Sequence, residues 1–480
     1  MADKKTHVSE DWLSFWLGLV VFFLSLGVFF GADILGWGVN TAVWMDITKS
    51  LGVVSPSFKD IGGFVSLLLT YLFLLISLGI GTKLMNENVR KFAYSFSFVF
   101  LISFICFVIG HFAYIAATPD KLDSYSIGWS FNLTGEAGFI IALLAGLAIG
   151  NFFPKLADKL KAATKPELYI KTAIVIMGAG LGVKAAEATG LASAVMFRGL
   201  CAIIEAYLIY WAVVYFVARK YFKFSKEWAA PLASGISICG VSAAIATGGA
   251  IRAKPVIPIM VSSLVVIFAV VELLLLPFLA QMFLWNEPLV AGAWMGLAVK
   301  TDGAAVASGA IADGLIRAKA LAMEGVQYKE GWILMTATTV KVFIDVFIGI
   351  WAFVLAFIWA AKIEKKNVYD KVKIVEIWQR FPKFVIGYVL TFLLFLILCL
   401  SVPQAIESAK IATQEADVFR KLFFVMTFFT IGMMSNFKKL WEDGIGKLAA
   451  IYIICLFGFI IWIGLFISWL FFHGAKPPII

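Results

Sequence analysis

Apolar runs of roughly twenty residues, enough for a helix to cross a hydrocarbon core, recur from Leu13 to the C-terminus, separated by short polar connectors. They predict spans at about 13–31, 64–83, 92–117, 136–153, 167–184, 189–218, 228–250, 255–284, 288–313, 331–361, 384–402, 419–435 and 448–472, about thirteen in all. Ten-residue alternation of the β-barrel kind is absent. The expected fold class is an all-α polytopic membrane protein. The first run, Leu13 to Gly31, is long for a signal-peptide core and lacks a small-residue cleavage site, so it reads as the first span.

Composition agrees: of 480 residues, 62% are hydrophobic and 15% charged, where soluble domains have nearer half and a quarter. The net charge of +10 does not point to nucleic acid, because the bases fall in alternate connectors. With the N-terminus cytoplasmic, the inner loops 83–91, 154–166, 219–227, 362–383 and 436–447 carry about twice the Lys and Arg of the outer ones, a topology signal for a multi-pass protein of a plasma (inner) membrane. Trp12, Trp332 and Trp469 suit interfacial anchoring. Two inner loops, 154–167 and 362–383, mix bases with periodic apolar residues. They fit either amphipathic surface helices or solvated basic connectors, the second being preferred. The five cysteines fall inside apolar segments and are expected to pack as small hydrophobes. No CxxC, HExxH or phosphate-loop pattern occurs, and His7, His111 and His473 are scattered, so neither an enzyme nor a cofactor is expected.

One span departs from lipid-facing sequence. Residues 234–243 read SGISICGVSA, where Leu, Val and Phe would serve a plain span. Gly235 and Gly240 permit a helix break, and Ser234, Ser237 and Ser242 offer hydroxyls beside the freed amides. Such a break is tolerated at membrane depth only in protein or at a water-filled cavity, and a half-helix starting there aims N–H donors at one spot. Gly235, Ser237, Ile238, Cys239, Gly240 and Ser242 are therefore candidates for an anion site. The alternative is close helix packing through small residues.

A second stretch, 296–314, GLAVKTDGAAVASGAIADG, adds Lys300, Thr301, Asp302 and Gly303 near the middle of its span. Mid-span charges are expensive and usually face a cavity or a partner. Lys300 and Lys341 are the candidate cationic groups and Asp302 the candidate coupling-ion ligand. Lys341 and Asp345, i and i+4, can neutralise one another. Arg198 and Glu205, two turns apart, are expected to form a structural ion pair, and Lys171, near a span end, to snorkel. Glu272, in VVELLLLP, could carry a proton or bond across helices.

Together, SGISICGVSAAIA, preceded by KTAIVIMGAGLGVKAAEATG and followed by GAWMGLAVKTDGAAVASGA, ATTVKVFID and FFTIGMMSNFKKLWEDG, resemble the sulfate-exporter-like family of YeiH-type UPF0324 membrane proteins, grouped with bile-acid, arsenite and auxin-type carriers. The resemblance covers about 136–472. It departs at Val299–Asp302, where the family usually has a His-Glu pair followed by Ala-Gln, and at Lys341–Ile344, where a Lys-Leu-Thr-Arg element keeps only its lysine. It implies a carrier for a small inorganic or sulfonate-like anion such as sulfate or sulfite; with the two interrupted stretches read above, the expectation is a secondary active transporter with two interrupted helices in an inverted-repeat core and a proton or sodium ion as coupling ion.

A weak echo between 177–190 and 432–444, on opposite faces by span count, agrees with duplicated inverted halves. The organisation expected is accessory helices at 1–133 and core halves at 134–284 and 285–480. If both interrupted segments cross fully they run in one direction, so one is re-entrant or the span count is off by one. The rival readings are a cation/proton antiporter using Asp302 and Lys300, and a non-transporting membrane scaffold. The expected partners are the anion, its coupling ion and the lipid bilayer, with no nucleic acid. A homodimer is left open.

Overall fold

The computed structural model describes residues 8–117, 121–131, 133, 135, 137–187, 189–251, 253–254, 256–359, 383–435 and 446–480. In chain order the helices are α1 (Glu10–Ser25), α2 (Gly62–Leu84), α3 (Val89–Gly110), α4 (Ala113–Ala116), α5 (Ala137–Phe152), α6 (Pro154–Leu160), α7 (Pro166–Glu187), α8 (Thr189–Gly199), α9 (Cys201–Ile204), α10 (Trp211–Lys220), α11 (Lys226–Ser234), α12 (Gly240–Ala250), α13 (Val256–Phe283), α14 (Pro288–Ala298), α15 (Asp302–Glu324), α16 (Trp332–Val346), α17 (Ile348–Ile358), α18 (Lys383–Ser401), α19 (Ala405–Met434), α20 (Gly446–Cys455) and α21 (Ile461–Phe472). Between α1 and α2 a short antiparallel hairpin pairs β1 (Val39–Thr41) with β2 (Leu51–Val53), Asn40 opposite Gly52. Helices dominate because hydrocarbon offers the backbone no hydrogen-bond partners.

Among the described residues eight helical stretches are long and apolar enough to cross a bilayer, or nine if Ala137–Phe152 and Pro154–Ala163, bent by 115°, form one broken span. This is fewer than the thirteen expected, although helix occupies every expected place. Segments 228–250 and 288–313 are each divided by a break, 255–284 contributes only the shorter apolar stretch Ile267–Phe283, and 419–435 ends a helix that starts with Glu407, Lys410, Glu415 and Asp417.

By packing, the chain divides into two compact units, Met1–Thr189 with Lys383–Met434, and Gly190–Pro382 with Ser435–Ile480. In the first, glycines set helix spacing. A Cβ on Gly178 or Gly182 of α7 would collide with the Tyr388 and Phe392 carbonyl oxygens of α18, and one on Gly146 or Gly150 of α5 with those of Phe429 and Met433 on α19. Glycines four apart let helix backbones touch, which supplies the packing attraction that lipid cannot. Phe139 stacks on Phe428 (ring centroids 5.1 Å apart) beside these contacts.

At one end of this unit, Lys165 Nζ lies 2.9 Å from both Glu10 Oε1 and Glu87 Oε1. Lys171 does not snorkel. Its Nζ, on a buried side chain, meets Asp11 Oδ1 at 2.8 Å and Glu167 Oε2 at 3.3 Å, because α1 brings a carboxylate within reach. The 154–167 connector is α6 followed by a 3-10 turn, Lys161–Ala163, with Leu160 and Ala163 buried, so the amphipathic reading holds for it over the connector that was preferred. The second basic loop, 362–383, lies outside the described residues except for Lys383, as does most of the 432–444 echo.

In the second unit α14 packs on α16, where a Cβ on Gly292 would lie 2.5 Å from Ile333 O and one on Gly296 2.6 Å from Ala337 O. The buried Asp313 of α15 accepts from the Gly331, Ile333 and Leu334 amides at the start of α16, at 3.0, 3.0 and 3.4 Å, and from Arg317 Nε at 2.8 Å. It therefore satisfies orphan donors of a helix start. Arg198 and Glu205 do not pair. A turn at Leu200 and a π-helical segment, Glu205–Tyr210, replace the 3.6-residue period that would have aligned them, and among the described residues both Glu205 oxygens lack a hydrogen bond of normal geometry. All five cysteines are buried and joined by no disulfide.

Candidate functional site

The first break follows α11, whose last turn passes into a π-helical turn, Gly235–Cys239. Cys239 is non-helical (φ −143°, ψ 81°), and α12 restarts at Gly240. The two sides are braced through Ser234 at the end of α11, whose Oγ accepts from Thr247 Oγ1 of α12 at 2.7 Å and from Trp211 Nε1 of α10 at 3.0 Å. Gly235 sits where a Cβ would come 2.7 Å from Val261 Cγ1. Ser237 is fully buried, and its hydroxyl has no hydrogen-bond partner among the described residues.

The second break separates α14 from α15. Val299 (φ −81°, ψ 128°) and Thr301 (φ −108°, ψ 148°) are extended, and Thr301 caps α15, its Oγ1 accepting from Ala304 N at 3.2 Å. Thus Thr301, expected as a ligand group, has a local structural task. The two breaks touch. A Cβ on Gly240 would lie 2.5 Å from Val265 Cγ1, 3.0 Å from Thr301 Cγ2 and 3.1 Å from Lys300 O. Gly240 is needed where two chain segments approach this closely.

Each break frees backbone groups, and buried charges satisfy them. Lys341 Nζ, on α16, donates to Ile238 O at 2.8 Å. Lys300 N donates to Glu272 Oε2 of α13 at 2.9 Å, while Glu272 Oε1 accepts from Tyr452 Oη of α20 at 3.0 Å. Lys300 Nζ donates to Leu297 O and lies 4.4 Å from the centre of the Tyr210 ring. Both ammonium groups thus sit on carbonyls where helix ends, where a positive charge is favoured. Tyr210 Oη donates to Ile460 O at 2.8 Å and Trp294 Nε1 to Ile461 O at 2.9 Å, which ties the second break to the start of α21. Lys300, Lys341, Glu272, Glu205, Asp345, Tyr210 and Tyr452 are all buried.

Of the residues expected from sequence, Gly235, Ser237, Ile238, Cys239 and Gly240 form the first break and Lys300 and Thr301 the second, with Lys341 reaching the first from α16. The side chains of Ser242 and Asp302 lie outside those described, so the coupling-ion expectation for Asp302 falls there, and Gly303 follows Asp302 in the first turn of α15. Glu272, left undecided from sequence, bonds across to the second break and to α20. Glu205, Tyr210 and Tyr452 were not foreseen as one group. A lone acid in an apolar run was a signal for Glu272 and Glu205, but nothing local marked either tyrosine.

The sequence profile of the family described as conserved hypothetical protein 698 matches residues 100–451. A UPF0324 membrane protein of Nitrosomonas europaea is 42% identical over 475 residues, covering 98% of this chain and 97% of its own. An uncharacterized protein of Archaeoglobus fulgidus is 46% identical over 166 residues, 30% of this chain and 88% of its own. A UPF0324 membrane protein of Rhodopirellula baltica is 28% identical over 411 residues, 84% and 66% of the two chains. No solved structure matches.

Proposed function

Because the chain belongs to the UPF0324 membrane protein family, described also as conserved hypothetical protein 698, and is a multi-pass membrane protein, we propose that it is a secondary active transporter moving a small anion, of the sulfate, sulfite or sulfonate kind, across the plasma (inner) membrane by alternating access, with a cytoplasmic N-terminus. The observation that carries this reading is the contact between two helix breaks, each with a buried lysine on its freed backbone. Paired discontinuous helices are the recurrent plan of substrate sites at the bilayer midplane, and intramembrane lysines are kept where a charge is to be met. In the anion-loaded state the amides of α12 from Gly240 and of α15 from Asp302, the Ser237 hydroxyl, and the ammonium groups of Lys300 and Lys341 would supply donors and charge.

A second reading, a cation/proton antiporter, draws support from the buried carboxyls Glu205, Glu272 and Asp345, which outnumber Lys300 and Lys341. Reconstituted vesicles decide between the two. Counterflow of labelled sulfate, sulfite or a small sulfonate, without sodium-driven pH change, is expected. Sodium/proton exchange with no anion flux would replace the anion carrier with the antiporter.

A further inference from the structure

Two lysines and two glutamates share one buried neighbourhood: Glu272 accepts from the Lys300 amide, Lys300 Nζ lies over the Tyr210 ring, whose hydroxyl borders Glu205 at Gly464, and Lys341 holds Ile238, two residues before the Gly240 that meets Lys300. Fully ionised, these four groups cancel, and Asp345, one turn beyond Lys341 on α16, brings the sum to one negative charge. A cluster with a net negative charge repels an anion instead of drawing it out of water.

The two glutamates are built differently. Glu272 accepts from the Lys300 amide and the Tyr452 hydroxyl, and so stands as a fixed counter-charge that holds the second break together. Glu205 is completely buried, and among the described residues neither of its oxygens has a hydrogen bond of normal geometry, since the one proton of the adjacent Tyr210 hydroxyl goes to Ile460 O at 2.8 Å. It starts the π-helical segment that ends in Tyr210, the ring against which Lys300 lies. A Cβ on Gly464 of α21 would be 2.6 Å from Tyr210 Oη and 3.5 Å from Glu205 Oε1, so both groups border the same spot. Among the described residues, the titratable and charged neighbours of Glu205 are Cys201 on α9 just before it, Tyr210 on its own segment and Lys300 on the second break; the Gly235–Cys239 turn, which packs on this segment, carries Cys239, and α14 and α21 present the neutral Trp294 and Gly464.

We propose that Glu205 is a proton-binding site whose occupancy licenses the anion: the proton cancels the carboxylate's charge, the cluster passes from one net negative charge to neutral and no longer repels an anion, and anion and proton bind together. This rests on the anion-carrier reading and deepens it by assigning the proton as the coupling ion. The carboxylate takes its proton from water on one side of the membrane and returns it on the other, and no covalent step is involved.

Sulfate and methanesulfonate are suitable probes because neither titrates between about pH 5 and 9. For one linked proton, anion affinity in detergent should fall by about tenfold per pH unit on the alkaline side. Glu205→Gln, which fixes the neutral form, should bind at every pH with close to the wild-type's acid-side affinity. It should also catalyse anion exchange that a pH gradient no longer drives. Proton uptake by the wild-type protein, followed with an indicator dye as anion is added in weak buffer, should approach one proton per anion and does not depend on the variant folding. Binding without proton uptake, an unchanged pH slope in Glu205→Gln, or a slope removed by Glu272→Gln instead would each overturn the assignment while leaving an anion carrier standing. Failure of both anions to bind at any pH would remove the carrier reading and this assignment with it.

Discussion

Lys341 shows how one side chain can be read in two ways that the structure makes compatible. Its ammonium is bonded to the Ile238 carbonyl, which the first break removed from helical pairing, so it supports the break before it meets any ligand. A buried acceptor left without its donor costs about 1–3 kcal/mol. Lys341→Leu should therefore lower unfolding stability in detergent by about that much, and Lys341→Gln, whose amide can still donate, by less. Equal melting of both variants and the wild type would mean that the bond contributes nothing. From sequence, Lys341 stood out because a lysine in mid-span demands a partner. That the partner is a carbonyl 103 residues away is a product of packing and could not be read from the neighbourhood of either residue.

At the level of helices, small residues do two separable things. Gly296 lets α14 lie on α16, where a Cβ would come 2.6 Å from Ala337 O, whereas Gly240 lets the two breaks meet. Overfilling a packed contact typically costs about 1–3 kcal/mol, so Gly296→Leu is expected to lower the melting temperature and expression together. Gly240→Leu should still insert and purify but lose transport, because the break would be forced off Val265, Thr301 and Lys300. Wild-type flux through Gly240→Leu would reduce SGISICGVSA to packing. Both breaks were legible, because glycines, hydroxyls and a mid-span Lys-Thr-Asp have no use in a plain lipid-facing helix. The separation of Arg198 from Glu205 was not, since a π-helical turn leaves no mark in the hydrophobic period. The thirteen expected spans exceed the eight apolar helical stretches, or nine with the bent pair, among the described residues, because 228–250 and 288–313 are each divided by a break and 419–435 continues a helix with a polar start.

Across the whole molecule, residues 383–434 return to pack with the first 189, a discontinuity that no local pattern announces, although the helical membrane class was plain from composition. Lys165 ties three parts of that unit together through Glu10 of α1 and Glu87 before α3. Burial works to lower its pKa, but the two carboxylates prevail and raise it above the ordinary 10.5. A pKa raised on folding gives stability that is complete below the unfolded value and is lost as pH climbs through the folded one. The melting temperature should accordingly drop more steeply above about pH 10.5 in the wild type than in Lys165→Met, and parallel curves would show that the lysine is not the group responsible. The placement of the five cysteines, all of them buried, has a practical consequence. Since attack requires an accessible thiolate, a charged, membrane-impermeant maleimide in water has no native thiol within reach in this state, and only Cys239, in the first break, stands where alternating access would open a path to it. Single reporter cysteines can therefore be introduced on a background in which Cys239 alone is replaced and labelled from either face of the membrane, so the inside and outside of this chain can be mapped chemically while its other four cysteines stay in place.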